Sequence, residues 1–197
     1  MNNQLIIIEV GNTNIMKIYE DNNLIKEINH VEIGQNGVSN HTYEGSVTTP
    51  LGKFNLGIAF GTHDLKIKYP YIKISSNHYW VDDPNSKYYN NLVSLNEYIN
   101  TFKYPYIVNT NQKEFSSAEH LIDYPKQYEY AIYIEYNVDG EKYDDGVGKG
   151  SAIFLHCLGD KGYTGGCVAI PKEEMLFILN FLDRNKHPQI IIKRKYN

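Results

Sequence analysis

The sequence predicts a mainly β (α+β) fold with one clear helix near the C-terminus. Tyrosine is unusually frequent, with 18 copies among 197 residues, and tyrosine and isoleucine both suit the pleated, half-buried surface of a sheet. Most apolar stretches are short and bounded by turn-forming residues, which is typical of strands. A single stretch after Pro171 has apolar residues at helical spacing instead. The length and the 42% hydrophobic content suffice for a single domain over residues 1–197.

Strands joined by turns are predicted for the N-terminal part of the chain. Gln4–Val10 and Ile15–Tyr19 flank Gly11–Asn14, a segment with the residues that a hairpin loop requires. Leu24–Val31 is a further candidate strand. Gly34–Gly45 is polar and contains glycines, so we expect a loop there.

The middle of the chain contains a turn motif and a repeated pentapeptide. Thr49–Phe54 reads Thr-Pro-Leu-Gly-Lys-Phe, in which Pro and Gly two residues apart predict a turn before a strand at Lys53–Ala59. The pentapeptide Lys-Tyr-Pro-Tyr-Ile occurs at Lys68–Ile72 and at Lys103–Ile107. Proline is tolerated where a strand begins, so both copies predict strand entries. Tyr79–Ser86 runs into a further turn.

The C-terminal part alternates predicted strands with a loop. Ser117–Ile122 is expected to form a short helical or irregular piece. Tyr130–Asn137, which is rich in tyrosine and isoleucine, and Ser151–Leu158, which is largely apolar, are predicted strands. Asp139–Gly150 lies between them and contains several glycines, which predicts a loop.

One helix is predicted after these strands. Pro171 suits its first position, and Glu173 and Glu174 fall in its first turn, where the helix dipole favours negative charge. Four apolar residues then share one face: Met175, Ile178, Leu179 and Leu182. Pro188 is expected to stop the helix, and Gln189–Lys193 to form a closing strand.

Charge and hydropathy exclude two classes of partner. The net charge is only −4, and the basic residues are scattered apart from Lys193, Arg194 and Lys195, so no nucleic-acid partner is expected. No apolar run is long enough to span a bilayer, and Leu5–Val10 is too short and wrongly flanked for a signal peptide. The sequence leaves open whether the protein stays inside the cell or has lost a leader, and it leaves the oligomeric state unknown.

The segment from Gly150 to Val168 carries the candidate chemistry. An apolar strand ends at His156, a polar loop follows, and the chain returns through Thr164-Gly165-Gly166 to Cys167. A neighbouring imidazole can take the proton of a thiol and so make it nucleophilic. The two glycines permit a sharp turn and leave peptide N–H groups uncovered beside the sulfur, where they can bind an oxyanion.

The second cysteine is distinguished by side-chain alternation. If His156 faces the site, Cys157 faces the core, so we interpret Cys157 as structural and Cys167 as reactive. Three alternatives remain at this point. Cys167 can be a buried apolar residue, the three side chains can form a zinc site, or the two cysteines can form a disulfide.

These motifs resemble the L,D-transpeptidase (YkuD-like) family of bacterial cell-wall enzymes. The resemblance rests on His156, on Thr164-Gly165-Gly166-Cys167-Val168 and on Thr49-Pro50-Leu51-Gly52-Lys53-Phe54. Further segments are similar to a small single-domain branch of the family: Tyr79–Asn90, Ser117–Asp123, Gly150–His156 and Ala169–Pro171 with the following helix and strand. The match covers most of the chain and implies a β-sandwich catalytic domain.

The resemblance also implies a reaction. Cys167 would attack a carbonyl of a peptidoglycan stem peptide and release D-alanine, His156 would act as base and then as acid, and an amine would take the acyl group. Gly166 and Cys167 would supply oxyanion N–H groups beside Gly165, and Thr164 would shape the loop. Neither a cofactor nor a metal is implied. With water as acceptor, the enzyme would be an L,D-carboxypeptidase. A wall-binding module without turnover is the remaining alternative.

The chain departs from the family pattern in several places. Ala169 and Ile170 stand where many relatives have an arginine, Gly165 stands where many have a histidine, and the loop between His156 and Cys167 is shorter. Because peptidoglycan lies outside the membrane, a cell-envelope location is expected if a leader has been removed.

Other residues carry alternative interpretations. Glu119 and Trp80 are candidate substrate-binding residues, although Glu119 also fits an exposed carboxylate and Trp80 a core residue. His120 can orient the base or be structural. Asp82 and Asp83 beside Pro84 are predicted turn formers.

Overall fold

The mainly β class is confirmed by the computed structural model, which describes residues 3–95, 107–110 and 113–195. These residues form fifteen strands and one α-helix. The first eight strands are β1 (Gln4–Val10), β2 (Ile15–Glu20), β3 (Asn23–Ile28), β4 (Val38–Ser39), β5 (Thr49–Pro50), β6 (Gly52–Gly61), β7 (Tyr71–Lys73) and β8 (His78–Val81). The others are β9 (Leu92–Leu95), β10 (Ile107–Thr110), β11 (Ala118–His120), β12 (Ala131–Ile134), β13 (Phe154–Cys157), β14 (Val168–Ile170) and β15 (Gln189–Arg194), with helix α1 (Lys172–Phe181) before β15.

A large sheet forms the framework of the molecule. Its strands follow the order β14-β13-β12-β6-β15-β1-β2-β3, with β7 also paired to β6. The N-terminal hairpin β1–β2 is antiparallel, as predicted from the turn between its strands. The closing strand β15 runs parallel to β1 and antiparallel to β6, so the C-terminus ties the two halves of the sheet together.

The main apolar core lies where helix α1 packs on the large sheet. Met175, Ile178 and Leu179 of α1 are fully buried in one cluster with isoleucines of β1, β2 and β15. Leu155 and Cys157 of β13 belong to the same cluster. This helix-covered face is therefore the side on which Cys157 lies, as side-chain alternation predicts.

A smaller sheet, of order β10-β9-β8-β11, supplies a second core. Trp80 and Leu92 are fully buried there against Phe154 of β13, whose ring meets the Trp80 ring edge-on at 4.9 Å. Cys167 belongs to the same cluster. The large sheet thus has helix α1 on one face and the small sheet against the other, and the candidate nucleophile lies on the small-sheet side.

Several predicted boundaries differ in the N-terminal half. β3 ends at Ile28 rather than Val31, and it is an edge strand with Leu24 and Ile25 exposed. The predicted loop Gly34–Gly45 contains β4, which pairs in parallel with β5 inside the Thr-Pro-Leu-Gly-Lys-Phe segment. The strand entry predicted for the first pentapeptide is confirmed by β7. Residues 103–106 of the second copy lie outside the described residues.

The C-terminal half corrects three further predictions. Ser117–Ile122 is not a helical piece at its start, because β11 pairs there with β8, and only Leu121–Asp123 forms a 3₁₀ turn. β12 and β13 are shorter than predicted, and Asn137 and Ala152, inside the predicted ranges, have positive φ angles that do not fit an extended strand. Pro171 is the residue before helix α1, and the helix ends at Phe181, well ahead of Pro188.

Candidate active site

The parallel register of β13 and β14 brings the predicted nucleophile and base onto one face. Leu155 lies opposite Val168 and His156 opposite Ala169, so Cys167 lies beside Phe154. Because side chains alternate along a strand, Cys167 and His156 are diagonal neighbours on the same side of the sheet. Both line a single cleft of about 480 Å³. The structure therefore brings together the two residues that the sequence singled out.

The Cys167 thiol is held in its protonated form. Only 8% of the residue is exposed. Its Sγ donates to the Ala152 carbonyl at 3.2 Å and accepts the Phe154 N–H at 3.3 Å. Burial, and then the negative charge of Glu119, raise the pKa of this thiol well above its ordinary value. A proton acceptor is therefore required before the sulfur can attack.

His156 has the state that such an acceptor needs. Its Nδ1 lies 2.7 Å from the carbonyl oxygen of Cys157. A carbonyl only accepts, so Nδ1 carries the hydrogen and Nε2 is the basic nitrogen. Burial lowers the pKa of His156 to about 4, so the imidazole is neutral at pH 7. The ring of Tyr128 packs edge-on against it at 5.6 Å, which restricts its orientation.

The Thr164-Gly165-Gly166 loop is shaped by one hydroxyl. Thr164 Oγ1 donates to the Cys167 carbonyl at 2.7 Å and accepts the Gly166 N–H at 3.1 Å. Thr49 Oγ1, from the Thr-Pro-Leu-Gly-Lys-Phe segment, donates to the same carbonyl at 3.2 Å. The two resemblance motifs thus meet at Cys167. The expectation that Gly166 offers an uncovered N–H is wrong in this geometry, because the Thr164 hydroxyl already accepts it.

The opposite wall of the cleft comes from the small sheet. Glu119 of β11 pairs with Trp80 of β8, so the two side chains lie on the same face. Glu119 lines the cleft, as does Asp82 just beyond the end of β8. Trp80 does not: it is fully buried, and its Nε1 donates to Asn90 Oδ1 at 2.9 Å. The prediction that Trp80 binds substrate is corrected, because the second core encloses it.

The cleft is rich in carboxyl groups. Its lining includes Glu44, Asp82, Glu119 and Asp160, with Lys161 as the lysine at its rim. The hydroxyl of Tyr128 donates to Glu119 Oε1 at 2.5 Å, and the hydroxyl of Tyr89 donates to Glu44 Oε1 at the same distance. Burial is the main reason why the pKa of Glu119 rises to about 7, and the negative charge of Asp82 adds to it. Burial also raises the pKa of Glu44.

The sequence interpretation missed several residues that build this site. Asn90 accepts from the N–H of Ala152 at 3.1 Å and so holds the carbonyl that receives the Cys167 hydrogen. Tyr128 contacts both His156 and Glu119. The sequence around Asn90 and Tyr128 gives little indication of these roles, because their contacts with the site arise only when distant strands pair. The Asn90-Asn91 pair is typical of a turn, and it forms one at a positive φ of 57°.

Hydrogen bonds distinguish between the roles predicted for the two aspartates beside Pro84 and for His120. Asp83 is a turn former, since its carboxylate accepts the N–H groups of Asn85 and Ser116, but Asp82 faces the cleft. His120 bonds to Asp123 at 3.0 Å and to the Ser76 carbonyl at 2.9 Å, away from His156. It therefore does not orient the base.

The alternatives of a metal site and a disulfide find no support. Both cysteines are free, and Cys157 Sγ donates to the Tyr130 carbonyl on the helix-covered face. Over residues 3–95, 107–110 and 113–195, no three histidine, cysteine or acidic side chains are grouped to hold a metal ion. The same part of the chain contains no helix long and apolar enough to cross a bilayer.

Comparison with known proteins identifies the family of the chain. Residues 3–192 match the model of the L,D-transpeptidase catalytic domain, YkuD. No curated protein matches the chain. Two solved structures of the helical cell shape determining protein Pgp2 from Campylobacter jejuni, one of them a point mutant, are 15% and 14% identical with TM-scores of 0.49. They align with 100% of this chain, which spans about half of theirs, 49% and 48%. The chain therefore belongs to the L,D-transpeptidase (YkuD) catalytic domain family.

Proposed function

We propose that this protein is an L,D-transpeptidase whose catalytic domain acts on peptidoglycan stem peptides. The observation that carries the proposal is the cleft in which a neutral His156 and a protonated Cys167 lie on one face of the sheet. A thiol and a neutral imidazole in one cleft are the groups required to form and resolve an acyl-enzyme. Such a substrate places the reaction at the cell envelope.

The first half-reaction forms a thioester. The thiol hydrogen turns from the Ala152 carbonyl to Nε2 of His156 while Sγ attacks the donor carbonyl. The N–H group of Cys167 stabilises the oxyanion, while the Gly166 N–H stays bonded to Thr164 Oγ1 and holds the turn in place. The imidazolium then protonates the leaving amine of D-alanine. Because His156 begins neutral, activation occurs during attack rather than through a resting ion pair.

The second half-reaction transfers the acyl group. An amine of another stem attacks the thioester, its proton passes to His156, and the Cys167 sulfur leaves and recovers a proton. Glu119 contacts the substrate from the opposite wall. Water in place of the amine gives the carboxypeptidase reaction on the same intermediate. The acceptor therefore decides between the two activities.

The test uses a stem tetrapeptide with and without an acceptor amine. We expect release of D-alanine and a cross-linked product that requires both Cys167 and His156, with Cys167→Ala inactive. Cys157→Ala is the matched control, because that thiol lies on the other face of β13. Hydrolysis without amine transfer would identify the carboxypeptidase. Folded wild-type protein that leaves the tetrapeptide intact would contradict the proposal.

A further inference from the structure

Two carboxyl groups of the small sheet lie across the cleft from the thiol. Glu119 on β11 and Asp82 beyond β8 line the same cleft as Cys167 and His156. Glu119 is close enough for its negative charge to raise the pKa of the Cys167 thiol. The nucleophile and base therefore belong to one sheet and the acidic groups to the other, with the space for substrate between them.

Glu119 is held firmly in this position. Tyr128 is buried, donates to Glu119 Oε1 at 2.5 Å, and packs its ring edge-on against both Phe154 and His156. A carboxyl fixed by a buried tyrosine has little freedom to turn away from the cleft. The pKa of Glu119 is about 7, so the carboxyl can both accept and release a proton near neutral pH.

The neighbouring Asp82 has a carboxyl oxygen without a hydrogen-bond donor among the described residues. Its Oδ1 is enclosed, and no group among the described residues donates a hydrogen bond to it. A buried carboxylate oxygen without a donor is costly, and a cationic ligand with N–H groups removes that cost. The lysine of the lining, Lys161, is exposed at the rim, while Asp160 is already paired with Lys126 at 2.6 Å. This wall therefore favours a positively charged group from the substrate.

We propose that Glu119 is a second catalytic base, which takes a proton from the primary ammonium of the acceptor while Asp82 holds that ammonium beside the thioester. The assignment rests on the proposed acyl transfer and names the acceptor class as a strongly basic primary amine. His156, on the thiol side, returns the proton to the sulfur. Glu119, on the facing wall, takes the first proton from the acceptor nitrogen.

The proton balance is complete with these groups. The ammonium gives one proton to the Glu119 carboxylate and becomes a neutral amine, which attacks the thioester carbonyl. The tetrahedral adduct gives its second N–H proton to neutral His156, the amide forms, and the carbon–sulfur bond breaks. The leaving thiolate recovers that proton from the imidazolium. Glu119 then releases its proton to solvent, and both residues return to their starting states.

The experiment compares two acceptors on the acyl-enzyme made from a stem tetrapeptide. Nα-acetyl-lysine carries one strongly basic ammonium, whereas hydroxylamine is already uncharged at neutral pH and does not need the first deprotonation, which is the step assigned to Glu119. Products are quantified by mass spectrometry for wild type, Glu119→Gln, Asp82→Asn and the control Glu27→Gln, an exposed residue on β3. Glutamine retains an oxygen that accepts the Tyr128 hydroxyl, and circular dichroism checks the fold.

We expect Glu119→Gln to reduce transfer to Nα-acetyl-lysine by about 100-fold or more while transfer to hydroxylamine is unchanged. Asp82→Asn should raise KM for Nα-acetyl-lysine alone, and Glu27→Gln should match wild type. An equal loss with both acceptors, no loss with either, or a wild-type protein that transfers only to water would overturn the assignment of Glu119. Absence of any acyl-enzyme in wild type would instead refute the acyl transfer itself, and the assignment would fall with it.

Discussion

Cys167 and His156 are both electrically neutral at rest because both are buried. The thiol donates to a carbonyl rather than to the imidazole, and the imidazole donates through Nδ1 to the Cys157 carbonyl. Alternation along β13 was enough to predict which cysteine shares the cleft with His156, since adjacent side chains face opposite sides. The facing carboxyl of Asp82 was not predictable, because its position depends on how two separate sheets pack.

The depressed pKa of His156 makes stability depend on pH. The neutral form is favoured in the folded state, so its pKa falls from 6.5 in the unfolded chain to about 4. The unfolded chain binds the extra proton between these values, and stability is therefore lost as pH falls through that window. Compared with His156→Asn, wild type should lose roughly 3 kcal/mol from pH 7 to pH 4. Urea unfolding at several pH values measures the difference, and parallel curves for the two proteins would contradict it.

The raised pKa of Glu119 should change stability with pH in the opposite direction. Its pKa rises from 4.5 to about 7 on folding, so the folded state binds the extra proton and stability declines as pH rises through this window. Glu119→Gln lacks this decline. The variant should therefore gain stability relative to wild type between pH 4.5 and pH 7, measured by thermal unfolding. Glu27→Gln should show no such trend, and a variant whose relative stability falls with pH would refute the raised pKa.

Local sequence patterns predict some of the elements that carry the site, but not all of them. β13, helix α1 and the turn before Cys167 follow from local patterns of apolar residues, proline and glycine. β11 forms where the sequence predicts a helical or irregular piece, because its three residues become a strand only by pairing with β8. A segment this short has weak local preferences, so the partner strand decides its structure.

The turn before β14 provides a test at this level. Gly166 has φ of 143°, and a Cβ there would lie 3.0 Å from the Thr48 carbonyl oxygen, whereas a Cβ on Gly165 meets none of the described residues within 4 Å. Gly166→Ala should cost about 1–3 kcal/mol of stability, because it adds both strain and a close contact. Gly165→Ala should unfold at nearly the wild-type urea concentration. Equal stability losses in the two variants would show that the turn has another backbone geometry.

At the scale of the whole molecule, the cleft lies between two sheets, and Asn90 connects them. Asn90 accepts from Trp80 Nε1 of the small sheet at 2.9 Å and from the Ala152 N–H, and its Nδ2 donates to the carbonyls of Tyr136 and Asn137. Composition predicted the β class, but nothing local in the sequence predicts this connection. The sandwich and the cleft therefore depend on contacts between segments far apart in the chain.

Removal of this connection should weaken the whole fold. Asn90→Ala leaves buried donors and carbonyls without partners and places alanine at a positive φ, so we expect a loss of at least about 2 kcal/mol in urea unfolding. Asn91→Ala is the matched control, because within the described residues that side chain donates to the nearby Tyr89 carbonyl. The loss of unfolding free energy in Asn91→Ala should be clearly smaller than in Asn90→Ala. Similar losses in both variants would mean that Asn90 does not join the sheets.

The most direct measurement is intact-protein mass spectrometry, with peptide mapping, after incubation with a carbapenem, whose strained β-lactam ring acylates a nucleophilic thiol. We expect one adduct per chain, located on Cys167, with its formation slowed about 100-fold or more in His156→Asn and absent in Cys167→Ala. An adduct on Cys157, or folded and reduced protein that forms no adduct at all, would contradict the claim that Cys167 is a nucleophile activated by His156.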